Sequence, residues 1–122
     1  MDNIIIKAGA RNPLIELKAD GNILIKGRST SNECEIYFIP VVKYLEAYAL
    51  ESERINITFY FEYMHSTSML WLRRIFDILK NISDAGQKVK ITWEYDEIDE
   101  DIMEKGEFFR DEYDLKININ PV

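Results

Sequence analysis

Between Arg54 and Asn81 the hydrophobic period of this chain changes once, in the middle. Ile55, Ile57, Phe59, Phe61 and Tyr63 alternate with Asn56, Thr58, Tyr60 and Glu62, which predicts a strand with one strongly apolar face. Beyond it, Met69, Leu70, Leu72, Ile75, Phe76, Ile78 and Leu79 recur at three- and four-residue steps, the buried face of a helix from about Ser68 to Asn81. Ser66, Thr67 and Ser68 therefore stand where a strand passes into a helix. Unpaired N–H groups at a helix start point outward and favour anions. A hydroxyl placed there caps the helix, or carries a phosphate that the helix end tolerates.

The segments on either side fit the same architecture. Residues 1 to about 12 read as a loose leader ending at Pro13. Leu14 to Leu17 and Ile23 to Ile25 form a hairpin around Asp20-Gly21, closing at Gly27, with a polar loop from Arg28 to Glu33. Phe38-Ile39-Pro40 opens a helix, with proline in the first turn where its missing N–H is harmless. Val41, Val42, Tyr44, Leu45, Tyr48 and Ala49 are its apolar stripe, and Glu51-Ser52-Glu53 ends it. Val89, Ile91, Trp93 and Tyr95 alternate as a further strand. Asp96 to about Arg110 is an acidic, weakly amphipathic helix, and Leu115, Ile117 and Ile119 form a last strand. A hairpin followed by alternating helices and strands predicts one α/β domain over residues 1–122. Its mixed sheet has about five strands, with helices mainly on one face.

Composition narrows the function. With 122 residues and 47% hydrophobic content, one domain builds a core without disulfides or metal. The single cysteine, Cys34, fits a reducing compartment and a buried structural role. No apolar run approaches the roughly 20 residues that span a bilayer, and the N-terminus lacks a signal-peptide pattern, so a cytoplasmic soluble protein is expected. A net charge of −7 argues against nucleic-acid binding by a basic face. Half of the 22 acidic residues fall between Glu94 and Asp114, so one end of the domain is strongly negative.

Motifs for common chemistries are missing: there is no G-x-G-x-x-G, P-loop, C-x-x-C, H-E-x-x-H or G-x-S-x-G. His65 is the sole histidine, which leaves a zinc site short of ligands, and its neighbour Ser66 is badly placed for a triad. Asp96, Asp99 and Asp101 are close enough in sequence to consider Mg²⁺ or Ca²⁺, but they lack EF-hand spacing and suit a solvated helix start. The aromatics are mostly accounted for by packing. Trp71, followed by Leu72, Arg73 and Arg74, sits at the edge of the helix's buried stripe, where core and interface are both open to it. None of Ser66, Thr67 and Ser68 has a capping-box Glu or Gln three residues on, and three hydroxyls exceed what one cap needs.

Four segments in order carry a resemblance. Tyr63-Met64-His65-Ser66-Thr67-Ser68 resembles the Tyr-x-Asn-Thr-Ser-Ser of the SiaC family of bacterial regulatory phosphoproteins. Phe38-Ile39-Pro40-Val41-Val42-Lys43-Tyr44-Leu45 is similar to that family's aromatic-x-Pro-Ile-x-x-Trp-Leu helix start. Val89 to Tyr95 resembles its Val-x-Val-x-Trp-x-Tyr strand, and Asp99 to Glu107 its Asp-x-Asp-Met-x-Glu-x-Gly segment. The resemblance spans about residues 13 to 119 and departs at His65, at Ser66 and in the loop Ser29 to Glu33.

The resemblance implies a fold like the STAS domains of anti-sigma-factor antagonists. It implies a non-enzymatic protein without cofactor or metal, phosphorylated by a Ser/Thr kinase and reset by a PP2C-type phosphatase. The unmodified form would bind and activate a diguanylate cyclase, raising cyclic di-GMP and promoting biofilm. The family's acceptor threonine falls on Ser66, with Thr67 and Ser68 as alternatives. His65, Ser66, Thr67, Met69 and Arg73 would then contact the partner. An anti-sigma-factor antagonist remains an alternative, as does a small metal-dependent enzyme using Asp96 to Asp101; homodimerisation is open.

Overall fold

A computed structural model describes residues 3–48 and 54–122. The chain runs β1 (Ile4–Ile6), β2 (Leu14–Leu17), β3 (Asn22–Ser29), α1 (Glu35–Tyr48), β4 (Arg54–Met64), α2 (Ser66–Asp84), β5 (Lys88–Tyr95), α3 (Glu100–Tyr113) and β6 (Ile117–Pro121). Among the described residues, six strands form one sheet in sequence order. β1, β2 and β3 pair antiparallel, whereas β3, β4, β5 and β6 are parallel, joined by the three helices. This is the expected mixed α/β sheet with one more strand.

Register explains the one-sided core. Ile15, Ile25, Phe59 and Trp93 line up across neighbouring strands, as do Leu17, Ile23, Ile57 and Ile91. All eight are buried on the face that the helices cover. The alternate positions, among them Lys26, Asn56, Tyr60 and Glu94, point to the other face and stay exposed or half-buried. Phe76 of α2 stacks on Phe59 at 5.3 Å and on Phe109 of α3 at 4.4 Å between centroids, tying two helices to the sheet centre. α3 lies close on β5. Trp93 donates its indole N–H to the Ile102 carbonyl at 2.8 Å, and a Cβ added to Gly106 would meet Trp93 Cδ1 at 2.5 Å.

Several elements depart from the sequence reading. The leader is not loose at Ile4–Ile6, because these residues complete a ladder with Leu17, Glu16 and Ile15 at the sheet edge. β3 does not close at Gly27. That glycine takes φ 131° at a register shift, and the strand continues through Arg28 and Ser29 beside β4. α1 begins at Glu35, so Pro40 lies in the second turn rather than the first. The Phe38 N–H already bonds the Cys34 carbonyl at 3.0 Å, which sets the helix going before the proline. α3 starts later than Asp96, since Asp96 to Asp99 form a turn and Asp99 caps the helix by accepting from the Ile102 N–H at 3.1 Å. It ends at Asp114, whose φ of 49° is left-handed. The stop expected at Glu51-Ser52-Glu53, and Ala49 with it, lie outside the described residues.

Candidate functional site

β4 delivers the chain to α2 through a single residue, His65, which is extended at φ −70° and ψ 150°. Its imidazole caps the helix. Nδ1 accepts from the Thr67 N–H at 3.2 Å and lies 3.0 Å from Thr67 Oγ1. Because Nδ1 accepts a backbone N–H, the ring proton sits on Nε2. The His65 N–H bonds the Ser29 carbonyl at 2.7 Å, fixing the junction to the end of β3, and the Ser68 N–H closes onto the His65 carbonyl at 2.9 Å. None of the three hydroxyls serves as the cap. The sole histidine, which the sequence leaves without chemistry, takes that duty.

The hydroxyls have three different fates. Ser68 is fully buried, 2.7 Å from Ser29 Oγ, which is itself 2.6 Å from the Tyr37 hydroxyl. This closed chain joins α2, β3 and α1, and burial pushes the Tyr37 phenol above its usual range. Thr67 is half-buried, held by His65 and by the thiol of buried Cys34, with Sγ 3.6 Å from Oγ1. Ser66 is exposed in the first turn, and its hydroxyl makes no hydrogen bond among the described residues. The sequence places the three side by side. Only the fold separates an accessible hydroxyl from two structural ones.

Of the other residues expected at a partner surface, Arg73 is exposed about two turns down the same helix face as Ser66. Met69 is half-buried and packs against the core. Sequence reasoning passed over Leu70 as part of the buried stripe, yet it is 67% exposed. Trp71 divides its allegiance: it packs on the core, and the Arg74 guanidinium lies 4.8 Å from its ring centroid. The signal for Leu70 was available in the period. Leu70 is four residues after Ser66 and three before Arg73, which puts it on their face rather than with Leu72, Ile75 and Phe76.

The acidic segment has other work. Asp96 accepts from the Tyr60 hydroxyl at 2.6 Å and Asp99 caps α3. Asp101 is exposed, and among the described residues no three potential metal ligands converge. No described helix is long and apolar enough to cross a membrane.

Comparison with known proteins fits this geometry. Apo-SiaC from Pseudomonas aeruginosa has the same fold, with a TM-score of 0.90 at 20% identity over 98% of this chain and 99% of that one. A chain of the crystal structure of the diguanylate cyclase SiaD in complex with its activator SiaC, from the same organism, superposes with a TM-score of 0.90 at 21% identity, again over 98% and 99%. A further P. aeruginosa SiaC structure gives 0.85 at 19% identity, over 100% and 98%. No curated protein matches significantly in sequence. The profile of the SiaC family regulatory phosphoproteins matches residues 6–122, nearly the whole chain, and the chain therefore belongs to the SiaC family.

Proposed function

We propose that this SiaC-family protein is a non-enzymatic switch that acts through Ser66. Unmodified, the surface that begins at Ser66 and runs down α2 docks on a diguanylate cyclase and activates it. A Ser/Thr kinase phosphorylates Ser66 and ends the binding, and a PP2C-type phosphatase restores it. The observation that supports this reading is the division of labour among the hydroxyls. Ser66 alone of the three is exposed and unengaged, while Ser68 is sealed in the Ser29–Tyr37 chain and Thr67 is held by His65. The cyclase is suggested by the relative that activates SiaD.

A phosphate on Ser66 adds about −1.5 to −2 charges. At the start of a 19-residue helix, the helix dipole favours that charge, so the domain stays folded. Against a docked partner the same charge is desolvated and repelled, so the complex dissociates. Taking the bound fraction from nearly full to nearly none requires about 5.5 kcal/mol.

Substitution at Ser66 tests the reading. Ser66→Asp should fold and melt like the wild type yet bind the cyclase poorly. Ser66→Ala should bind and stay bound in the presence of kinase and ATP. An Asp variant that binds as well as the wild type would remove the switch from this residue.

A further inference from the structure

We propose that the surface presented by α2 is built for an acidic partner: an apolar recess that takes Leu70, flanked by carboxylates that meet Arg73 and Arg74. This rests on the reading that α2 is the docking face, and names the chemistry of what docks there.

Ser66, Leu70, Arg73, Arg74 and Asp77 follow one another at helical spacing, and all five are exposed. The chain carries 22 acidic against 15 basic residues, so an exposed arginine has many possible internal partners. Even so, no carboxylate among the described residues comes within ion-pair distance of either guanidinium. Each is instead held over an aromatic ring, Arg73 at 5.0 Å from the Phe108 centroid and Arg74 at 4.8 Å from that of Trp71. Asp77, one turn on, is the nearest acid along the stripe, and it lies beside the Tyr113 hydroxyl, whose pKa burial and this carboxylate push up to about 12. A guanidinium stacked on a ring loses little freedom on binding and keeps its N–H edge for a planar anion. Two such groups beside an exposed leucine make a positive, partly apolar patch on a protein of net charge −7. The complementary surface is acidic around an apolar centre.

The same arrangement explains how a phosphate at Ser66 acts on a partner. Ser66 and Arg73 are seven residues apart, about 10 Å along the helix axis. That is slightly beyond the screening length of about 8 Å at physiological salt, so the two charges are felt together most strongly at low salt. The phosphate thus offsets the arginine pair and repels the partner's carboxylates together.

Calorimetric titration of the purified diguanylate cyclases from the protein's own cells, at low and at high salt, tests this. The unmodified wild type should bind one of them more weakly at high salt. Arg73→Gln combined with Arg74→Gln should weaken binding about tenfold or more at low salt and flatten the salt dependence. Leu70→Ala should weaken binding at both salts and keep that dependence. Ser66→Asp should lose less affinity in the double-Gln background than alone. Circular dichroism checks that each variant folds. A double-Gln protein that binds like the wild type with the same salt dependence overturns the acidic partner and leaves the α2 switch standing. A wild type that binds none of the cyclases overturns both readings.

Discussion

His65 shows how much one side chain settles at the start of α2. Helix starts usually take an Asn, Asp, Ser or Thr whose oxygen accepts the orphan N–H groups. Here an imidazole nitrogen accepts the Thr67 N–H, in the position where the resembling family carries Asn, and the serine after it is left free. His65→Ala should therefore lower stability by about 1 kcal/mol, while His65→Asn stays within a few tenths, as measured by urea unfolding. Equal losses in the two variants would show that the ring contributes by packing rather than by capping. Tyr60 offers a second check. Its hydroxyl bonds Asp96, and ionising it would set two anions against each other, which pushes its pKa up to about 12. The folded value lies above the unfolded one, near 10. The stabilisation is therefore complete below pH ~10 and fades as pH rises toward the folded value. In an ultraviolet absorbance titration, Tyr60→Phe should remove one late-ionising tyrosine. A wild type whose tyrosines all ionise near their ordinary value would contradict the Tyr60–Asp96 bond.

The strands and helices differ in how plainly the sequence announces them, for physical reasons. β4 and β5 sit mid-sheet with one face on the helices, so their alternation is readable. In β4 it holds through Phe61, and the register shift beside Gly27 then turns Tyr63 outward and Met64 inward, which the period alone does not announce. β1 is a three-residue edge strand of consecutive isoleucines, which has no alternation to read and exists because β2 offers it a free edge. The reach of β3 past Gly27 is equally silent, since Arg28 and Ser29 have the composition of a loop. That extension matters for the site: it carries Ser29 to Ser68, 39 residues further on, and no local pattern encodes a pairing at that range. The strand-to-helix handover and its three hydroxyls were legible; which of them is free was not. Packing of α3 on β5 is where a small change should cost most. Gly106→Ala places a methyl against Trp93, whose indole is pinned by its bond to Ile102 and cannot swing aside. Overpacking of this kind costs about 1–3 kcal/mol, and a denaturant midpoint unchanged from the wild type would show that α3 can lift without penalty.

For the molecule as a whole, charge and polarity are sorted by place. The helices bury one face of the sheet, half of the acidic residues gather from Glu94 to Asp114, and α2 turns outward a stripe of serine, leucine, two arginines and Asp77. Ser66 stands at the head of that stripe, on a rigid junction tied to β3 through the Ser29 carbonyl. On the proposed reading, a phosphate there would change the surface without disturbing the core, which is what a reversible switch requires. On the proposed reading, Ser66 is the residue that carries the phosphate. Peptide mass spectrometry of the protein purified from its native cells with phosphatase inhibitors tests it most directly. The phosphate should be found on Ser66. A phosphate on Thr67 or Ser68, or none across several growth conditions, would contradict the assignment and return Ser66 to an ordinary first-turn residue.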